Sequence, residues 1–335
     1  MPDIPILLAL IIAVALIFDY TNGAHDSANA IASVVSTKVL SPKTAVIMAG
    51  VFNFVGAFLG TNVAETIGKG IVRPEMIAGC QSLLLAALFG AIFWNLLTWY
   101  IGLPSSSSHA LIGGLMGAGI VESGWGSLEY GSILGKVIIP LFLSALAGFI
   151  VGYLFMLALT WATCRARYKP ANTVFKKLQV IAAACMALTH GMNDAQKTMG
   201  IIALALFVFH KIPVMYIPVW VKIACAIVIM LGTLNGGWKI IKTMGQKIFK
   251  MQPIHGFAAQ SATAGVILTA SLLGAPISTT QVVSSSVLGV GSSKRISAVR
   301  WGVAGSMILA WFVTIPASAL VGALCMSFCK LLGMP

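Results

Sequence analysis

Apolar stretches occupy residues 4–18, 44–62, 82–101, 109–121, 132–161, 178–189, 199–209, 213–234, 257–274, 282–291 and 301–328, more than half of the chain. A hydrocarbon core of about 30 Å is crossed by about 20 helical residues, and backbone polar groups must be satisfied internally there. The pattern predicts an all-α polytopic membrane protein, with the lipid bilayer as its solvent. Composition agrees: of 335 residues 59% are apolar and 9% charged, a balance that a soluble domain of this length would need a very large core to tolerate. The net charge of +13 is spread through short loops and forms no basic stripe with interleaved aromatics, so it reads as membrane topology and not as a nucleic-acid surface. The six cysteines form no C-x-x-C pair and are read as small apolar residues. The first apolar run follows Met1-Pro-Asp3, which lacks a basic leader, and is expected to remain as a helix.

Two polar stretches break the apolar pattern, Asn22-Gly-Ala-His-Asp-Ser-Ala-Asn-Ala30 and Thr189-His-Gly-Met-Asn-Asp-Ala-Gln-Lys197, each with a Gly-x-x-Asp core. Several apolar runs are too short to span alone, and the short ones flank polar motifs, as in discontinuous helices or re-entrant hairpins at the membrane midplane. Gly23/Asp26 match Gly191/Asp194 at a shift of 168 residues. Gly60-Thr61 matches Gly232-Thr233, and Leu103-Pro-Ser-Ser-Ser-Ser108 matches Ala275-Pro-Ile-Ser-Thr-Thr280, both at 172. The chain therefore reads as a first repeat (1–162), a short basic cytoplasmic linker (163–177) and a second repeat (178–335). With about five transmembrane helices each, an odd number, the repeats have inverted topology.

Charge orients this arrangement. With the amino terminus outside, fourteen basic residues fall inward: Lys38, Lys43, Arg165, Arg167, Lys169, Lys176, Lys177, Lys239, Lys242, Lys247, Lys250, Lys294, Arg295 and Arg300. Only Lys69, Arg73, Lys136, Lys211 and Lys330 fall outward, as the positive-inside rule requires, and the acids Asp3, Glu65, Glu75, Glu122 and Glu129 fall outward too. Asp19, Asp26 and Asp194 are left at membrane depth, with Lys197 and Lys222 as the buried bases.

A carboxylate inside an apolar helix costs about 2.5 kcal/mol or more on insertion scales, so the repeated aspartates point to transport. The hydroxyl runs Ser105–Ser108 and Ser278–Thr280 each follow a proline and precede an apolar helical run. They place backbone N–H groups and hydroxyl donors at a helix start suited to a tetrahedral oxyanion, phosphate or sulfate. Asp26 and Asp194 cannot attract an anion and are expected to hold a coupling proton or cation, and as metal ligands they would serve sodium. Asn29 lies three residues after Asp26, and Lys197 three after Asp194, on the same helical face. Lys197 can neutralise Asp194 or contact the anion. His25, His109 and His190 lie in or beside these motifs, and His25 is a candidate proton relay. Asn193 completes the set beside Asp194. A Ser107/His109/Asp26 triad would supply the residue types of a hydrolase. However, the two-residue separation of Ser107 and His109 and the lack of a Gly-x-Ser-x-Gly turn argue against an enzyme.

These paired motifs, G-A-H-D-S-A-N-A with H-G-M-N-D-A-Q-K and L-P-S-S-S-S-H with A-P-I-S-T-T-Q-V-V-S-S-S-V, resemble the duplicated signatures of the PiT family of inorganic phosphate transporters over essentially the whole chain. The resemblance implies a 5+5 inverted repeat, extracellular termini, phosphate bound near the midplane by Ser105–Ser108 and Ser278–Thr280, and a homodimer. It also implies that Asp26, Asn29 and Asp194 form the coupling site. Sodium-coupled members carry Gly-Ala-Asn-Asp in both repeats and a second asparagine where this chain has Lys197. His25 and Lys197 depart from that pattern. The departure implies the proton-coupled bacterial branch, which takes phosphate partly as a neutral metal complex, has no cofactor and works in the cytoplasmic membrane.

Overall fold

The structure, a computed structural model, describes residues 4–68 and 80–334. The expected outward charges Lys69, Arg73, Asp3 and Glu75 lie outside them. The described residues are almost wholly helical. The first half comprises α1 (Ile4–Ser36), α2 (Pro42–Gly56), the short α3 (Asn62–Gly68), α4 (Ser82–Ile101), α5 (Ser107–Ser123) and α6 (Ile139–Thr163). A 3₁₀ turn at Trp125–Ser127 and a π-helical turn at Leu134–Ile138 join α5 to α6. The second half comprises α7 (Tyr168–Val208), α8 (Val219–Asn235), the short α9 (Trp238–Lys242), α10 (Pro253–Leu272), α11 (Thr279–Lys294) and α12 (Trp301–Leu331), with a 3₁₀ turn at Ile296–Ala298 before α12.

Local chemistry sets the breaks. Gly102 ends α4 at φ +77°, and Gly274 ends the α10 turn at φ +68°, a left-handed conformation that glycine adopts without a Cβ clash. Four residues after each glycine comes a serine cap: Ser106 accepts from His109 N, and Ser278 accepts from Gln281 N. Each half thus contains a helical hairpin, α4–α5 or α10–α11, whose tip is a hydroxyl run.

By length and apolarity, Ile6–Ser36, Ser82–Ile101, Phe142–Thr163 and Trp301–Leu331 can each cross a membrane. Val219–Asn235 and Trp238–Lys247, bent by 61°, make one more if counted together. Helices α6 and α12 are the outermost, with Phe142, Leu146 and Leu154 and with Leu309, Phe312 and Leu320 exposed on apolar faces. The halves interlock: α1 packs on α8, α2 on α7, α11 on α6 and α12 on α5.

The aspartate motifs do not interrupt their helices. α1 runs unbroken through residues 22–30 and α7 through 189–197, whereas the breaks lie at the hairpin tips and at the α8–α9 bend. Asp26 and Asn29 find a partner in Thr280, Asp194 in Thr279, His25 in Thr98 and His190 in Asn53, all on other helices, so no backbone has to unwind to satisfy them. Helix α7 begins at Tyr168, so residues 168–177 are its first turns. Lys222, expected to be buried, is half-exposed near the start of α8.

The glycines of the two motifs explain how the polar helices come so close. A Cβ on Gly23 would lie 2.6 Å from the Ile229 carbonyl oxygen of α8, and one on Gly191 would lie 2.2 Å from the Asn53 oxygen of α2. Small residues at such crossings let backbones touch inside a membrane.

Candidate functional site

Asp26 and Asp194 meet where α1 crosses α7. Asp26, His190 and Asp194 each offer one ligating atom within 4.8 Å of the others, and among the described residues this is the one such cluster. All three are buried, as are the hydroxyl runs. The crossing is antiparallel, since Asp26 faces the 190–194 segment while Asp19, earlier in α1, bonds Thr198, later in α7.

The second hairpin tip closes over both carboxylates. Thr280 donates its hydroxyl to Asp26 Oδ1 at 3.0 Å and accepts from Asn29 Nδ2 at 3.1 Å. Thr279 donates to Asp194 Oδ2 at 3.2 Å. The first tip reaches the second through Ser108, which donates to the Ile277 carbonyl at 3.3 Å. Both runs therefore belong to one enclosed polar centre. Ser106 and Ser278 accept from backbone N–H groups as caps and keep their own hydroxyl protons available. Ser105 is turned toward Thr98, to which it donates at 2.9 Å, and lies 3.4 Å from His25 Nε2.

The carboxylates have different counterparts. Lys197 Nζ donates to Asp194 Oδ1 at 2.5 Å, and His190 Nε2 stands 3.2 Å from Oδ2. Asp26 instead has His25 Nδ1 at 2.7 Å from Oδ1. One half supplies a fixed ammonium and the other an imidazole that bridges to Thr98 at 3.2 Å. A buried charge left without such a partner is strongly destabilising.

Several polar atoms lining the centre have no protein partner: Asn29 Oδ1, Ser107 Oγ, His109 Nδ1, Asn193 Oδ1 and both amide atoms of Gln281. Buried polar groups are normally bonded, so unspent donors and acceptors beside the paired carboxylates mark a candidate place for a ligand. Asn193, expected beside Asp194 as a ligand, donates to Ser271 Oγ at 2.9 Å. Ser107 Oγ has no partner and so does not bond His109, and the hydrolytic triad does not assemble.

Sequence reasoning missed Thr98 behind His25 and Asn53 behind His190. Asn53 Oδ1 lies 3.1 Å from His190 Nδ1, and its amide donates to Thr233 at 2.8 Å. Asn53 is a lone polar residue in the middle of an apolar run, and Thr98 follows Asn95 by three residues in another, which is the signal that could have found them. A small cavity of about 10 Å³ continues from Asn29 past Ser33, Gln260 and Thr263.

A family model described as the phosphate transporter family matches residues 22–322. The chain is 47% identical over 323 residues, 96% of each chain, to a Rhizobium meliloti (strain 1021) protein described as a "probable low-affinity inorganic phosphate transporter". A Bacillus subtilis (strain 168) protein of the same description is 47% identical over 320 residues, covering 95% of this chain and 96% of its own. A solved structure titled "The sodium-dependent phosphate transporter" superposes with a TM-score of 0.82 at 26% identity, covering 97% of this chain and 99% of that one.

Proposed function

Because this chain belongs to the phosphate transporter family, we propose that it imports inorganic phosphate by cation symport, and that the coupling ion is a proton. The observation that carries this reading is the Lys197–Asp194 pair, with Thr279 on the other oxygen of the same carboxylate. Lys197 supplies in the second half the positive charge that a sodium ion would supply elsewhere.

On this reading Ser106, Ser107, Ser108, Ser278, Thr279 and Thr280 bind phosphate oxygens. Asp26 and Asp194 accept hydrogen bonds from the protonated anion, which sulfate at neutral pH cannot donate. Asp26, Asn29 and His25 form the coupling group of the first half. The antiparallel crossing of α1 and α7 supports inverted repeats that alternate access around this centre. The distribution of basic residues supports a cytoplasmic-membrane location with both termini outside. The apolar faces of α6 and α12 are available to lipid or to a second copy in a homodimer.

The test is uptake into proteoliposomes with sodium and pH gradients imposed separately. Accumulation is expected to follow the pH gradient in sodium-free buffer and to resist excess sulfate. Lys197→Asn is expected to lose activity or to acquire a sodium requirement. Strict sodium dependence of the unmodified protein would overturn the proton reading.

The hydroxyl site gives a second expected result. Losing one donor to a charged acceptor costs about 1.5–3 kcal/mol. Ser107→Ala or Thr279→Ala should therefore weaken phosphate binding roughly ten- to a hundredfold, as measured by equilibrium binding to purified protein. Unchanged affinity in both variants would remove the two runs from the site.

A further inference from the structure

Two turns before Asp26, on the same face of α1, lies a third carboxylate that the phosphate site does not use. Asp19 is fully buried, at 0% exposure. Thr198 of α7 donates to its Oδ1 at 2.9 Å, and its Oδ2 has no partner. Asn22, one turn further on and also at 0% exposure, has neither amide atom engaged.

Asp19, Asn22, Asp26, Asn29 and Ser33 recur at three- and four-residue spacing, forming one polar stripe along α1. His190, Asp194 and Thr198 form the facing stripe on α7. At about 1.5 Å per residue, Asp19 lies about 10 Å along the helix from Asp26. The titratable groups that face it are Asp194 and Lys197 of α7 and Cys225 of α8.

A helix pin would not need an acid. A neutral acceptor would satisfy Thr198 equally well without burying an ionisable group, which is costly in a membrane interior. A metal ion also suits the place poorly. Hard cations take a shell of several oxygens, and Asp19 offers one free oxygen beside one amide. The described ligating groups converge instead at Asp26, His190 and Asp194.

We propose that Asp19 is a second proton-binding site of the transport cycle, resting on the proton-symport reading above. An O–H bond forms at Oδ2 with a proton from water on the side where phosphate loads. It breaks to water on the side where phosphate leaves, so one coupled proton rides on Asp19.

The test uses the full-length protein in proteoliposomes with two readouts. One is phosphate–phosphate exchange without a gradient, and the other is accumulation driven by a pH gradient, with protons counted by a trapped pH dye. Asp19→Asn keeps an acceptor for Thr198 and is expected to retain exchange, lose gradient-driven accumulation and carry one proton fewer per phosphate. Thr198→Val removes the same hydrogen bond but leaves the acid, and is expected to keep the proton count. An Asp19→Asn protein with the unmodified proton count overturns the proposal. So does a Thr198→Val protein that loses the same proton, because that assigns the effect to helix pinning. If Asp19→Asn is not recovered folded, Asp19→Glu decides: a retained proton count with a shifted pH profile supports the site, and an unshifted profile overturns it. Absence of proton uptake in the unmodified protein would instead sink proton symport itself.

Discussion

Asp194→Asn should yield a protein that accumulates no phosphate and unfolds earlier than the parent, by about 3–5 kcal/mol if the whole penalty of an unpaired buried charge appears. The substitution removes the charge opposite Lys197, whose side chain is itself 1% exposed and cannot turn to water. The two effects can be separated. In Asp194→Asn/Lys197→Gln no charge is stranded, so thermal stability in detergent should return toward the parent while uptake stays absent. Asp26→Asn should abolish uptake with a smaller stability loss, because an amide oxygen still accepts from Thr280 and no ammonium is orphaned. Normal accumulation by both single variants would show that neither carboxylate takes part.

Gly191→Val and Gly23→Val should give little or no folded protein. The atoms that a Cβ would meet are main-chain atoms of neighbouring helices, at 2.2 Å for Gly191 and 2.6 Å for Gly23, and main chain cannot rotate aside as a side chain can. Overpacking commonly costs about 1–3 kcal/mol, and here relief requires whole helices to separate. Separating α7 from α2 would also pull His190 away from Asn53. Gly126, with no atom within 4 Å of a built Cβ, is the matched control, and Gly126→Ala should behave as the parent in size-exclusion chromatography. A monodisperse Gly191→Val protein with the parent's melting temperature would contradict the close crossing.

The membrane class, the paired carboxylates and the hydroxyl runs were legible because each is costly or conspicuous in an apolar sequence. An ionisable group deep in a helix, or a proline followed by hydroxyls, is a local signal. The supporting groups were not local. Thr280 lies 254 residues from the Asp26 it bonds, and Asn53 lies 137 residues from His190. Periodicity assigns a residue to a helix face without saying which helix that face will meet. The same limit explains the expected breaks at the aspartate motifs. Polar residues shorten an apolar run on paper, but Thr279, Thr280 and Thr98 complete those segments from neighbouring helices, so the helices continue. Asp19 could be placed at depth, but its partner Thr198 is revealed only by the α1–α7 crossing.

That crossing joins two helices of the same rank in their halves, running in opposite directions with unequal charges: Asn29 stands where the other half has Lys197, and His25 where it has Asn193. If the halves exchange conformations during a cycle, identical halves would make the two end states equal in energy, leaving the carrier evenly balanced between them. A permanent charge in one half acts as an offset on that balance. The resting orientation would then be set by the sequence difference between the halves, and the ease of loading from one side against the other would change with the charge at position 197.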